Sequence, residues 1–285
     1  MNETITLPDG RTLGFAQYGD PNGKPLIFFH GTPSSRFLHH PDKGRTASLN
    51  IRLITVDRPG FGISDHQPGR TLLDWPDDVE VLADKLGLNH FSVAGISGGG
   101  PYSAACAFKL SHRISKAGII SGVGPTDVDG HLEGLYPSRK VAVRVARNAP
   151  WLLRPLMWLL QNPQRNIDKY YQKILRQSSQ PDREILNQPA FKSMFLRSWQ
   201  EGTRNGVRGF TWDGIIFSRP WGFQLSDIKT SVFIWHGDHD TSTPLTMAQH
   251  MADQIPDCQL RIITGKGHFL LFDHWDEILS TLTNR

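Results

Sequence analysis

Only two cysteines, Cys106 and Cys258, occur in the 285 residues. That is too few for a disulfide framework or a four-thiolate zinc site, so the expectation is two partly buried thiols in a reducing cytoplasm. Long apolar runs are also missing. The strongest stretch, Trp151 to Leu160, is interrupted by Arg154 and falls short of the roughly 18 apolar residues a membrane span needs. The start, Met1-Asn2-Glu3-Thr4, lacks the basic and apolar regions of a secretory signal. There is no Gly-x-x-x-x-Gly-Lys phosphate loop, no internal repeat and no low-complexity run. A secreted, membrane-spanning or cystine-stapled protein is therefore not expected. With 38% hydrophobic and 20% charged residues, the composition is that of a globular chain with a substantial core.

Neither sign of charge dominates: 31 Lys and Arg face 27 Asp and Glu, a net +4. The distribution is uneven. Residues 124–225 hold 15 basic and 8 acidic residues, leaving 16 against 19 for the rest. Such an excess either attracts anions or forms a solvated helix surface. No dense Lys/Arg cluster is present, and nucleic acid is not expected as a partner.

What is present is an alternation. Thr4–Leu7, the turn Pro8-Asp9-Gly10, and Thr12–Tyr18 read as an antiparallel pair. Short apolar runs follow at Leu26–Phe29, Ile51–Val56, Phe91–Ala94 and Ala117–Ile120, each suited to a strand buried on both faces. Helical patterns at Leu72–Leu86 and Pro101–Leu110 alternate with them. After a gap, strands at Ser231–Trp235 and Leu260–Ile263 alternate with helices at Pro244–Gln254 and His268–Leu282. This predicts an α/β fold with a mostly parallel sheet covered by helices on both faces. The gap, residues 124–225, has apolar residues at helical spacing (Val141, Val145; Leu152, Leu156, Leu159, Leu160). Pro150, Pro155, Pro163, Pro181, Pro189 and Pro220 are expected to break it into short helices. The predicted organisation is a core of residues 1–123 and 226–285 with a helical insertion over 124–225.

The clearest chemical signal is Gly95-Ile96-Ser97-Gly98-Gly99, between a predicted strand and a predicted helix. A serine hydroxyl lifted clear of a sheet needs a very tight turn, and glycines two before and two after it let the backbones approach. The helix start aims N–H groups at the place where negative charge would develop. A dinucleotide-binding turn is the competing use. Gly98-x-Gly100 fits in part, but Ser103 stands where a third glycine belongs, and no Asp or Glu occurs between Lys85 and Thr126. Gly60-Phe61-Gly62 fails similarly, with Asp65 at the third position.

A serine nucleophile needs a base, and the base an orienting acid. The strand Ser231–Trp235 runs into His236-Gly237-Asp238-His239-Asp240-Thr241-Ser242-Thr243-Pro244. Thr243 and Pro244 read as the cap and first residue of the next helix, which leaves Asp240 in the loop, with Asp238 as a rival acid. The last strand ends before Gly265-Lys266-Gly267-His268. His268 then sits at the same carboxyl edge of the sheet as Ser97 and Asp240, where open parallel sheets build their sites. His236, His239, His250 and His274 lack that Gly-rich setting. His236-x-x-His239 has no third ligand, so no metal site is expected.

These motifs resemble the α/β-hydrolase family. The likeness extends over nearly the whole chain: Gly95-x-Ser97-x-Gly99, His30-Gly31-Thr32-Pro33, Asp57-Arg58-Pro59-Gly60-Phe61-Gly62-x-Ser64, Gly237-x-x-Asp240-x-x-x-Pro244 and Gly267-His268. The resemblance implies an α/β-hydrolase fold with a helical cap. It implies Ser97 as nucleophile, His268 as base and Asp240 as its acid, in the chain order of that scaffold. It also implies an oxyanion hole from the backbone N–H groups of Thr32 and Gly98, with His30 and Gly31 supporting the loop. Asp57 and Arg58 then read as loop-stabilising charges and Cys106 as core. The implied activity is hydrolysis of an ester or related acyl bond of a small molecule, apolar or aromatic in its acyl part and matched by the insertion's aromatic residues (Trp151, Trp158, Trp199, Trp212, Phe191, Phe195, Phe210, Phe217), with no cofactor. Same-triad carbon–carbon hydrolases, peptidases and small-molecule receptors share the pattern. Ser97, where aspartate would stand, argues against the dehalogenase and epoxide-hydrolase branches.

Overall fold

The computed structural model describes residues 2–160, 164 and 166–284. Met1, Pro163 and the side chain of Leu160, all used above, lie outside the described residues. Eight strands form one sheet: β1 (Glu3–Thr6), β2 (Thr12–Gly19), β3 (Lys24–Phe29), β4 (Ile51–Val56), β5 (Phe91–Ile96), β6 (Ile114–Ile120), β7 (Val232–Gly237) and β8 (Cys258–Ile263), in the order β1-β2-β4-β3-β5-β6-β7-β8. β2 is antiparallel to β1 and β4, and all other pairs are parallel.

The apolar runs form two-sided strands because successive side chains point to opposite faces. Ile27 and Phe29 of β3 join one core with Trp75, Val79 and Leu82 of the helix Trp75–Lys85 and Tyr102 and Cys106 of the helix Gly100–Lys109. Leu26 and Phe28 join the opposite core with Ile278, Leu279 and Leu282 of the helix Trp275–Thr283. Cys106 is fully buried, as expected of a core thiol, and Cys258 is half-buried.

Two expectations about helix ends are corrected. The stretch His268–Leu282 is a short helix, Leu270–Asp273, and a second one, Trp275–Thr283, separated at the non-helical His274. The break lets the consecutive Leu270, Leu271 and Phe272 all be buried together with Trp275, which one straight amphipathic helix would not allow. The helix after β7 starts at Leu245, with Pro244 as its cap; Thr243 is turned away toward Asp240.

Between β6 and β7 the described residues form six α-helices: Pro137–Asn148, Pro150–Leu160, Ile167–Gln177, Gln180–Asn187, Pro189–Gly202 and Arg208–Phe217. Pro137, Pro181 and Pro189 occupy first turns, where the missing N–H is not required. Pro155, expected to break a helix, instead lies inside Pro150–Leu160. No described helix is long and apolar enough to cross a membrane.

Candidate active site

Ser97 leaves the end of β5 with φ +55, a left-handed backbone that side chains other than glycine rarely adopt. The turn is as tight as the sequence required: a Cβ on Gly95 would lie 2.1 Å from the carbonyl oxygen of Gly99. Strand and helix therefore pass with no room for a side chain, and the Ser97 hydroxyl is presented at the carboxyl edge of the sheet, where it borders a cavity of about 240 Å³.

His268 borders the same cavity, and Asp240 meets it with its side chain fully buried. His268 Nδ1 lies 2.8 Å from Asp240 Oδ2. The N–H groups of Ser242 (2.7 Å) and Thr243 (2.9 Å) donate to Asp240 Oδ1. Burial opposes ionisation of Asp240, but the charge and hydrogen bond of His268 outweigh it and hold its carboxyl at about 2. An ionised carboxylate of this kind fixes Nδ1 of the imidazole as a donor and leaves Nε2 to accept a proton. Among the described residues no hydrogen bond joins His268 to Ser97, although both border the cavity.

The rival acid and base are separated from this arrangement. Asp238 is exposed and accepts from the Gly265 N–H at 2.7 Å, closing the turn after β8. His236 does approach Asp240, with Nε2 3.5 Å from Oδ2, but it is fully buried, and Nε2 lies 2.9 Å from the Thr243 carbonyl. Burial lowers its pKa, keeping the ring neutral. His239 is exposed, and among the described residues no group of three or more His, Cys, Asp or Glu side chains lies placed to hold a metal ion.

The loop after β3 brings Thr32 against the Ser97 turn: a Cβ on Gly98 would fall 2.4 Å from Thr32 Oγ1, and one on Gly31 3.3 Å from Ser97 Cβ. His30 is bound on both sides, with Nδ1 2.7 Å from the Gly31 carbonyl and Nε2 accepting from the Arg58 N–H at 3.3 Å. Burial and the nearby Arg58 charge push its pKa well below the ordinary histidine value. It is therefore neutral and engaged, suited to holding the loop rather than to moving protons. Asp57 and Arg58 are both fully buried; Asp57 pairs with Arg36 and accepts from the Ile63 N–H, tying two loops together.

Arg58 leads to residues that sequence reasoning missed. Its guanidinium donates to Thr32 Oγ1 at 2.7 Å and to Asp213 Oδ2 at 2.6 Å, and the Thr32 hydroxyl donates to the same oxygen at 2.7 Å. The other oxygen of Asp213 accepts from Arg70 (2.8 Å) and from the Tyr102 hydroxyl (2.6 Å). Burial works against the charge on Asp213, but Arg58, Arg70 and the Tyr102 hydrogen bond keep its carboxyl below the usual range. The signal was a lone acid in the apolar helix Arg208–Phe217, since a charge on a buried helix needs a partner. A second carboxylate, Asp182, reaches from the helix Gln180–Asn187 to the other side of the site. It accepts from the N–H groups of His268 (2.9 Å) and Phe269 (2.8 Å) and fixes that loop. Its Ser179-x-x-Asp182 setting reads as ordinary helix capping, so nothing in the sequence distinguishes it.

The aromatic residues divide by position. Phe195, Trp199, Phe210 and Phe217 border the cavity, whereas Trp151 and Trp158 are 75% and 52% exposed. Trp212 donates to the Arg70 carbonyl at 2.9 Å and packs against the main core.

The chain and its fold have counterparts among known proteins. A non-heme chloroperoxidase of Streptomyces lividans is 33% identical over 137 residues, 46% of this chain and 49% of that protein, so the chain spans about half the length of that relative. The hydrolase YcgS of Bacillus subtilis is 27% identical over 281 residues, 94% of this chain and 92% of that one. The solved structure of an esterase from Exiguobacterium antarcticum superposes with a TM-score of 0.72 at 19% identity, covering 100% of both chains, a likeness of fold. The family model for the alpha/beta hydrolase fold matches residues 24–274, from β3 past the His268 turn. With the sheet order, the strained serine turn and the helices between β6 and β7 all in place, the chain belongs to the alpha/beta hydrolase fold family.

Proposed function

We propose that the protein is a serine hydrolase that cleaves an ester or related acyl bond of a small molecule. Ser97 serves as nucleophile, His268 as base and Asp240 as the acid that orients it. Residues 1–123 and 226–285 act as the catalytic core, and residues 124–225 as a helical cap over the site. The observation that carries this reading is the 2.8 Å contact between His268 Nδ1 and an ionised, buried Asp240 at the edge of the cavity that Ser97 also borders.

The mechanism follows from which atoms are committed. Asp240 holds the Nδ1 proton, so His268 Nε2 takes the Ser97 proton as Oγ attacks the carbonyl carbon. Closing of the Ser97–His268 hydrogen bond accompanies substrate binding, as is common for catalytic contacts that are long in the resting protein. The tetrahedral oxyanion is held by the N–H groups of Thr32 and Gly98. Each such donor contributes about 3–4 kcal/mol to the transition state in comparable sites. His268 returns the proton to the leaving oxygen, water replaces the alcohol, and the same imidazole activates that water to release the acid and free Ser97. The apolar wall of Phe195, Trp199, Phe210 and Phe217 suits an apolar or aromatic acyl part.

Steady-state turnover of p-nitrophenyl esters of graded acyl length, beside a peptide and a lactone, tests the reading. Many product equivalents per protein are expected for the wild type and a loss of at least 10²-fold for Ser97→Ala. One equivalent or none from the wild type on every substrate points to a receptor, and unimpaired turnover by Ser97→Ala removes Ser97 from the mechanism.

A further inference from the structure

The cavity beside Ser97 is not apolar throughout. Its wall includes the helix Pro137–Asn148, which carries Arg139, Lys140, Arg144 and Arg147 and no acid, and the helix Ile167–Gln177, which contributes Lys173. Arg139 and Lys173 both border the cavity, close to Ser138, Gln177, Ser178 and Ser242. Arg139 is only partly exposed, and it is anchored: its guanidinium donates to the carbonyl and the hydroxyl of Ser242. Among the described residues those two bonds leave three of the five guanidinium N–H groups without a protein acceptor, and Arg139 pairs with no carboxylate. A partly buried arginine is ordinarily paired, since its charge is costly to desolvate alone. Burial lowers the pKa of both cations, and the charge of Arg139 lowers that of Lys173 further. The acid whose charge acts on Arg139 is Asp240, already engaged by His268.

We infer that this cationic end of the cavity is a subsite for an organic anion, and that the preferred substrates are esters whose acyl part ends in a carboxylate, the half-esters of dicarboxylic acids. The inference rests on the hydrolase reading for its substrate bond and adds the chemistry at the far end of the acyl chain. A planar guanidinium held by Ser242 presents its remaining donors in the fork that matches a carboxylate. Lys173 adds a second positive charge, and the Ser138 hydroxyl and the Gln177 amide on the cavity wall supply uncharged donors. The apolar residues that line the same cavity, Phe195, Trp199, Phe210 and Phe217, would carry the methylene chain, so one substrate would use both surfaces.

The experiment compares kcat/KM for p-nitrophenyl half-esters of succinate, glutarate and adipate with neutral p-nitrophenyl esters of equal length and with an ester ending in a quaternary ammonium. At low salt the wild type is expected to prefer at least one half-ester over its neutral counterpart by about tenfold or more, the factor a charge-assisted hydrogen bond supplies. The ammonium ester is expected to be discriminated against. In Arg139→Gln the charged-to-neutral ratio falls about tenfold, Lys173→Gln lowers it less, and Arg139→Lys recovers part of it. A wild-type ratio near one across the series, or a ratio unchanged in Arg139→Gln, overturns the inference.

A second readout is independent of turnover. Monomethyl glutarate is expected to raise the melting temperature of Ser97→Ala more than methyl valerate does, and Arg139→Gln in that background is expected to abolish the difference. No such difference, or one that survives without Arg139, overturns the subsite. Arg139-dependent binding in a protein that turns over no ester would leave the subsite standing and refute the hydrolase reading instead.

Discussion

Replacing Asp213 by asparagine removes one charge while keeping the side chain's shape, and its consequences follow from four contacts. The carboxylate accepts from Arg58 (2.6 Å), Arg70 (2.8 Å), Tyr102 (2.6 Å) and Thr32 (2.7 Å), with no exposed surface on Asp213 or Arg58. Without it, two buried guanidinium groups lose their counter-charge. Breaking a buried pair from one side costs about 3–5 kcal/mol, a large share of a total stability of roughly 5–15 kcal/mol. At roughly 2–4 °C per kcal/mol for a chain near this size, the melting temperature should fall by roughly 6–20 °C. Native Asp213 is held below the ordinary carboxylate value, so its contribution is full above that ordinary value and is lost as pH falls through the lower native one. The gap between wild type and Asp213→Asn should therefore narrow in acid. Thermal and urea unfolding of both proteins between neutral and acid pH measure it. A destabilisation below about 1 kcal/mol at neutral pH, or a gap that does not depend on pH, would refute the claim that this carboxylate neutralises the cluster.

Further expectations concern the site. In Asp240→Asn, ester turnover should fall by about 10⁴-fold, the effect of leaving the imidazole in the wrong tautomer in a comparable triad; retention of a tenth of the activity would remove Asp240 from its role. Its native value of about 2 against an ordinary 3.8 also gives wild type a stability advantage present above about pH 4 and fading toward pH 2, readable from melting curves across that range. Asp182→Ala strips the acceptor from two N–H groups of the His268 loop, so kcat should drop about tenfold or more and the melting temperature should fall with it. An unchanged kcat would show that the loop holds its place without Asp182. Gly95→Ala puts a methyl 2.1 Å from a backbone oxygen and should leave little soluble, folded protein, whereas Gly98→Ala meets the Thr32 side chain at 2.4 Å and should fold with impaired turnover; comparing expression and circular dichroism of the two separates a folding glycine from a site glycine.

The parts that were legible in sequence are those fixed by local physics. The two-residue period of side chains along a strand makes runs such as Leu26–Phe29 and Phe91–Ala94 readable as buried strands, and the order in which they alternate with helices makes the sheet mostly parallel. The Gly95–Gly99 spacing announced a turn that only glycines permit. Positions at strand ends placed Ser97, Asp240 and His268 along one edge of the sheet. Boundaries were less legible. Pro155 sits inside a helix, and His274 splits what the apolar pattern joins, because burial of neighbouring side chains overrode local preference there.

Asp213, Arg70, Tyr102 and Asp182 had no such signal beyond a single acid in an apolar helix. Their partners lie across the fold, with Asp213 and Arg70 separated by 143 positions and Asp182 and His268 by 86. Which aromatic residues face the cavity was equally closed to the sequence, since Trp151 and Trp199 read alike until the helices are placed. The amino-acid order determines strands, turns and the edge at which the candidate site stands, because those depend on neighbours within a few residues. The tertiary structure alone decides which distant charges neutralise one another and which, like Arg139, are left facing the cavity, because a charge's partner is chosen by proximity in space.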